Sequence, residues 1–172
     1  MTSNNSARRP PASAILKHHI FWSKEKNLNF LVDISNRTKT PSVRSENCIK
    51  SLERRIKLFC GPFPTWFSHL CPVVSKYLTT KFGIKQKDST IMDLIRLFRN
   101  MHNHISEQDV PQDVKNAIGL SPSAFFDYWI TRFPFLVSAT WIVFQPLKKL
   151  QDYGLAHYYP DRYNFEFTSI KK

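Results

Sequence analysis

Apolar residues recur at intervals of three and four along almost the whole chain, and that period constrains its fold more than any other feature. In "SKEKNLNFLVDISNR" Leu28, Leu31 and Ile34 follow it behind a Ser23 cap. In "ENCIKSLERRIKLF" Ile49, Leu52, Ile56 and Phe59 repeat it, with Arg54, Arg55 and Lys57 off the stripe. This spacing gives a helix one apolar face, whereas a half-buried strand needs alternation. Few stretches alternate. Prolines and glycines divide the helical segments, and "CGPFPTWF", with one glycine and two prolines, must break the chain.

The later segments follow the same rules. A short helix is expected over about 69–81, and "DSTIMDLIRLFRNMHNHI" predicts another, capped by Asp88 or Ser89. "PQDVKNAIG" has Pro111 near its start and Gly119 where a terminating glycine belongs. Ser121-Pro122 opens a further helix, and a last one runs from Pro134 toward Leu150, ended or kinked by Pro146. The expectation is an all-α, compact bundle of about seven helices. Residues 1–15, polar and containing Arg-Arg-Pro-Pro, read as a flexible tail, 16–160 as one domain and 161–172 as a second tail.

With 172 residues, fourteen phenylalanines and four tryptophans, the chain has material for one core, and a disordered class is excluded. There are 25 Lys+Arg against 13 Asp+Glu, a net charge of +12. The surplus is concentrated early: twelve basic against four acidic residues through Cys60, thirteen against nine beyond it. Such a surface suits a polyanion, because phosphate contacts release counterions; nucleic acid is favoured over an anionic membrane. Cys48, Cys60 and Cys71 are odd in number and lack CxxC spacing, which argues for free thiols over a disulfide framework or a zinc knuckle. "MTSNNSARRPPASA" lacks the apolar run of a signal peptide, and the most apolar stretch, Phe133 to Phe144, is too short to span a bilayer. These features place the chain in the cytoplasm or nucleus, not in a secretory route, and leave the Asn36 sequon unused.

The segment Asp93 to Gln108, "DLIRLFRNMHNHISEQ", carries the candidate chemistry. Ile91, Leu94, Ile95, Phe98 and Ile105 form its apolar stripe. Arg96, Arg99, Asn100, Asn103 and His104 form a polar one, and Asp93 lies one turn before Arg96, within pairing distance. Such a stripe is either a solvated face or suitable for metal-free RNA cleavage. In that reaction the ribose 2′-OH attacks the neighbouring phosphate, so the protein supplies proton transfer and positive charge, not a nucleophile. Histidine titrates near neutrality, and arginine stays charged with a planar fork for phosphate. A metal site is excluded on geometry: His102 and His104 are two positions apart and diverge by about 200° on a helix. No cofactor is implied.

Taken with its flanking blocks, the chain resembles the KEN (kinase-extension nuclease) domain. This is the RNase module of ribonuclease L and of the inositol-requiring kinase/endoribonuclease of the unfolded-protein response. "HHIFWS" at 18–23 is similar to the family's opening block, with His19 in place of proline. "DLIRLFRNMHNH" is similar to its Asp-Leu-Leu block followed by Arg-Asn, three residues and His. "DVPQDVKNAIG", "TRFPFL" and "YY" at 158–159 follow in order, so the likeness covers roughly 18–159.

The resemblance implies an all-α endoribonuclease that cuts single-stranded or stem-loop RNA without metal, leaves a 2′,3′-cyclic phosphate and works as a dimer. Arg99, Asn100 and His104 fall on the family's catalytic residues, His104 as general acid and Arg99 on the phosphate. Asp93 falls on a supporting aspartate. Trp66 falls on a loop tryptophan that either shapes or stacks in the RNA pocket, or caps the core. Arg132 of "TRFP" is expected to anchor a helix end. Three departures stand out: Gln86 lies near the position of a tyrosine that helps activate the 2′-OH, Trp141 replaces another tyrosine, and only a tail precedes "IFWS" where relatives have a kinase. The competing expectation is therefore a non-catalytic module that binds RNA or pairs, as homodimer or heterodimer, with a related KEN domain.

Overall fold

The computed structural model describes residues 10–39, 43–60, 66–83, 90–146 and 154–160; at 43–45 and 57–60 it describes the backbone alone. Among the described residues there are eight α-helices and no strand: α1 (Ala12–Leu16), α2 (Lys24–Arg37), α3 (Val43–Cys60), α4 (Pro72–Phe82), α5 (Ile91–His104), α6 (Gln112–Ile118), α7 (Pro122–Arg132) and α8 (Leu136–Phe144). Short 3-10 turns cover His19–Phe21, Trp66–His69 and Ala156–Tyr158. The all-α expectation holds, with one helix more than the periodicity suggested.

The extra helix is α1, inside the stretch expected to be a tail. Pro11 stands at its N-cap, and the Pro11 carbonyl accepts from Ala14 N and Ile15 N, which lets Ala14 bury. A proline before the first turn forfeits no helical donor. The start of α5 is also corrected: its cap is Thr90, not Asp88 or Ser89. Thr90 Oγ1 accepts from Asp93 N while the Asp93 carboxylate accepts from Thr90 N, a reciprocal box that places the first turn at Ile91. α4 begins at Pro72, later than expected, because Trp66–His69 forms its own turn. α8 begins at Leu136, since Pro134 and Phe135 are spent in a turn after Phe133. Gly119 ends α6, as its position anticipated, with φ +86° and ψ 143°.

The core is continuous across α2–α8. α2 packs on α5 and α7, α3 on α8 and α5, and α4 on α6. Phe30, Leu31 and Ile34 of α2 are fully buried, as are Leu94, Ile95 and Phe98 of α5. Phe98 meets Phe125 and Trp129 edge-on, with centroids 5.2 and 5.7 Å apart. The end of the described chain is clamped onto this body. The Tyr159 ring stacks on Trp141, Tyr159 Oη donates to the Trp141 carbonyl at 2.9 Å, and Trp141 Nε1 donates to the Tyr158 carbonyl at 3.0 Å. Trp141 is thus a buried core donor. Tyr158 Oη in turn donates to Asp33 on α2 at 2.7 Å. No helix among the described residues is long and apolar enough to cross a membrane.

Candidate active site

The site stands on the outer face of α5, and the first question is what holds that helix. Its N-terminus would leave four N–H groups unpaired. Besides the Thr90–Asp93 box, Glu53 of α3 reaches across: its Oε1 accepts from Ile91 N at 2.6 Å and from Met92 N at 3.3 Å. Asp93 also accepts from Arg96 Nη1 at 3.0 Å, the pairing that the one-turn spacing predicted. Asp93 thus serves the helix end and holds Arg96.

Further along, Arg99 is gripped from two sides. Its Nε and Nη2 donate to Asn100 Oδ1 at 3.1 and 2.6 Å, and its Nη1 donates to Asn36 Oδ1 at 3.3 Å. Both acceptors are neutral amides, so they orient the guanidinium without offsetting its charge. That leaves an arginine whose positive charge is available to a phosphate. Asn36 closes α2 three residues after Asp33, so the Tyr158–Asp33 bond stiffens the same stretch of helix.

His104 ends α5, about 7.5 Å further along the axis at 1.5 Å per residue. Its imidazole is exposed, and Nδ1 lies 2.5 Å from Glu107 Oε1 in the turn that follows. His102, by contrast, leans on Phe125 with centroids 5.3 Å apart, and burial lowers its pKa. The two histidines diverge as helical geometry requires. Among the described residues no group of three or more His, Cys, Asp or Glu is placed to hold a metal ion.

Asn100 and His104 are exposed on α5 and Arg99 partly so, with Asp93 six residues before Arg99. Trp66 does not join them as a stacking platform. It is 2% exposed and packs in the core beside Phe67, which leaves no open ring face for stacking. A tryptophan beside two prolines carries both meanings in sequence, and burial decides between them. Arg132 anchors α7, its Nη1 donating to the Tyr128 carbonyl at 2.9 Å and its guanidinium 3.8 Å from the Tyr128 ring centre. Gln86 and the side chain of Cys60 lie outside the described residues; Cys48 is buried, and Cys71 Sγ accepts from Tyr128 Oη at 3.4 Å.

Sequence reasoning missed Asn36 and Glu107. Asn36 is separated from Arg99 by 63 positions, and only the packing of α2 on α5 joins them. Glu107 had a signal, an acid three positions after a histidine, but it lies past the end of the helical stripe.

The described residues form an all-α body with Arg99, Asn100 and His104 on the polar stripe of one helix. The family described as Ribonuclease 2-5A matches residues 27–159, and the chain belongs to it. The chain is 30% identical over 140 residues to "Sensor for unfolded proteins in the ER ire1" of Schizosaccharomyces pombe, covering 80% of this chain and 12% of that protein. It is 33% identical over 135 residues to "Serine/threonine-protein kinase/endoribonuclease ireA" of Aspergillus fumigatus, covering 75% and 11%. Against "Serine/threonine-protein kinase/endoribonuclease IRE2" of Homo sapiens the identity is 32% over 133 residues, covering 77% and 14%. The chain therefore spans between a tenth and a sixth of the length of these relatives.

Proposed function

We propose that the chain is an endoribonuclease that cleaves single-stranded or stem-loop RNA without a metal ion, in mRNA processing or decay. The 2′-OH of the substrate gives up its proton to water and attacks the adjacent phosphate, and the bond from phosphorus to the 5′-oxygen breaks, leaving a 2′,3′-cyclic phosphate and a 5′-hydroxyl end. Arg99, held by Asn100 and Asn36, meets the charge of the phosphorane, and His104 protonates the departing 5′-oxygen. The observation that carries this reading is the grip on Arg99: two neutral amides fix its fork one and a half turns from an exposed imidazole. The relatives' printed names, which include endoribonuclease and unfolded-protein sensing, support RNA as substrate and stress signalling as setting. Partners are RNA and a second KEN domain, identical or related, and the compartment is cytoplasm or nucleus.

A second reading is favoured by one sequence fact, the absence of a tyrosine from "KFGIKQKDST". On that reading the domain binds RNA or a full-length relative and regulates without cutting. Substitution separates the two. His104→Ala is expected to abolish cleavage while RNA binding survives, because proton transfer to the leaving group matters only in the transition state. Arg99→Ala is expected to damage both, since the phosphate is charged already in the ground state. Asn103→Ala, on the same stripe, is the mild control. A folded His104→Ala variant that cuts at the native rate would hand the lead to the regulatory reading.

A further inference from the structure

The resemblance assigns nothing to Glu107, yet its carboxylate is the direct neighbour of His104. We infer that Glu107 is a positioning residue that fixes the tautomer and orientation of the His104 ring. An ionised carboxylate can only accept, so the 2.5 Å contact between Glu107 Oε1 and His104 Nδ1 requires the proton on Nδ1. Nε2 is then the nitrogen left to face a substrate, and the ring cannot turn over without breaking the contact.

The turn that carries Glu107 is held at both ends. Glu107 N donates to the His104 carbonyl at 3.0 Å and the Glu107 carbonyl accepts from Val110 N at 3.3 Å. Ile105 and Val110, on either side, are each 4% exposed. Asp109 of the same turn pairs with Lys81 at the end of α4. The backbone under Glu107 is thus anchored by two core residues and an ion pair, although its side chain is half-exposed.

As an exposed i,i+3 pair it adds little to stability. Its value is directional: a general acid must present one nitrogen to the leaving oxygen, and the partner of the other nitrogen decides which. The catalytic consequence rests on the ribonuclease reading, whereas the tautomer does not.

The full-length chain, labelled with 15N, tests the inference by long-range 1H–15N correlation at about pH 8.5, above the ordinary imidazole range. His104→Asn identifies the His104 cross-peaks by deleting them. The native ring is expected to be protonated at Nδ1, and Glu107→Ala to return it to the Nε2-protonated form. Glu107→Gln, whose amide oxygen still accepts, is expected to keep the Nδ1 proton. On a hairpin RNA, Glu107→Ala is expected to lower kcat at least about tenfold with KM within about twofold, and Glu107→Gln to recover most of the loss. A native His104 protonated at Nε2, or an unchanged tautomer in Glu107→Ala, overturns the inference whatever the activity. A flipped tautomer with native kcat overturns its catalytic part. The predicted tautomers in a chain that never cuts RNA would sustain the positioning role and remove the ribonuclease reading instead.

Discussion

Removing the Glu53 carboxylate is expected to destabilise the fold through α5 without touching the chemistry. Glu53 Oε1 closes two of the four open N–H groups at the start of that helix, one at 2.6 Å and one at a weak 3.3 Å. A bond to a charged acceptor contributes about 1.5–3 kcal/mol, and loss of a cap costs about 0.5–2 kcal/mol. Glu53 is partly exposed and its second bond is long, so Glu53→Ala is assigned a net loss of about 2 kcal/mol. For a chain of this size that corresponds to a fall in Tm of roughly 4–8 °C. Glu53→Gln keeps an acceptor but loses the charge that favours a helix N-terminus, so about half the loss is expected. Arg99 sits eight residues further on, about 12 Å away, and the buried Leu94, Ile95 and Phe98 keep that part of α5 docked. RNA cleavage at 25 °C by the folded variant should therefore match the native rate. Because Thr90 caps the same end, Thr90→Ala combined with Glu53→Ala should deviate from additivity. The measurement is a pair of thermal melts followed by a cleavage assay. A Tm within about 1 °C of native in Glu53→Ala would refute the claim that this contact holds α5.

Three further outcomes follow from the structure. Gly119→Ala should lower stability by more than about 1 kcal/mol in urea unfolding, because φ is +86° and a Cβ would lie 2.5 Å from that of Ala124. Acid should destabilise the fold: burial lowers the His19 pKa to about 4, and His18 and His102 are lowered too, so the unfolded chain binds more protons between roughly pH 6.5 and 4. Stability is thus expected to fall as pH drops through that window, and a urea midpoint equal at pH 7 and pH 5 would contradict it. RNA affinity should fall steeply from low to physiological salt, given the +12 charge, and a flat filter-binding profile would mean the charge is not used on phosphates.

Periodicity carried most of the fold because each long helix buries one face in a shared core. Where expectation and structure differ, the deciding physics is local or distant. At the start of α5 Asp88 or Ser89 was the expected cap, and what selects Thr90 instead is the acid three positions on, Asp93. At α1 the polar residues that precede it masked a short apolar helix, Ala12–Leu16, with one buried alanine. The polar stripe itself was legible, as was the Asp93–Arg96 pair, since both depend only on helical spacing. Asn36 was not, because its approach to Arg99 exists only once α2 lies on α5. Trp66 illustrates the opposite difficulty: the residue was found, but its burial depends on the rest of the core.

The ribonuclease reading meets its most direct test in the cleavage of a hairpin RNA by the full-length chain in excess EDTA, with the product ends identified. The account predicts cleavage at an undiminished rate, a 2′,3′-cyclic phosphate on one fragment and a 5′-hydroxyl on the other. Activity that disappears in EDTA and returns with magnesium, the RNA fold being unchanged, would contradict it, as would a product bearing a 5′-phosphate.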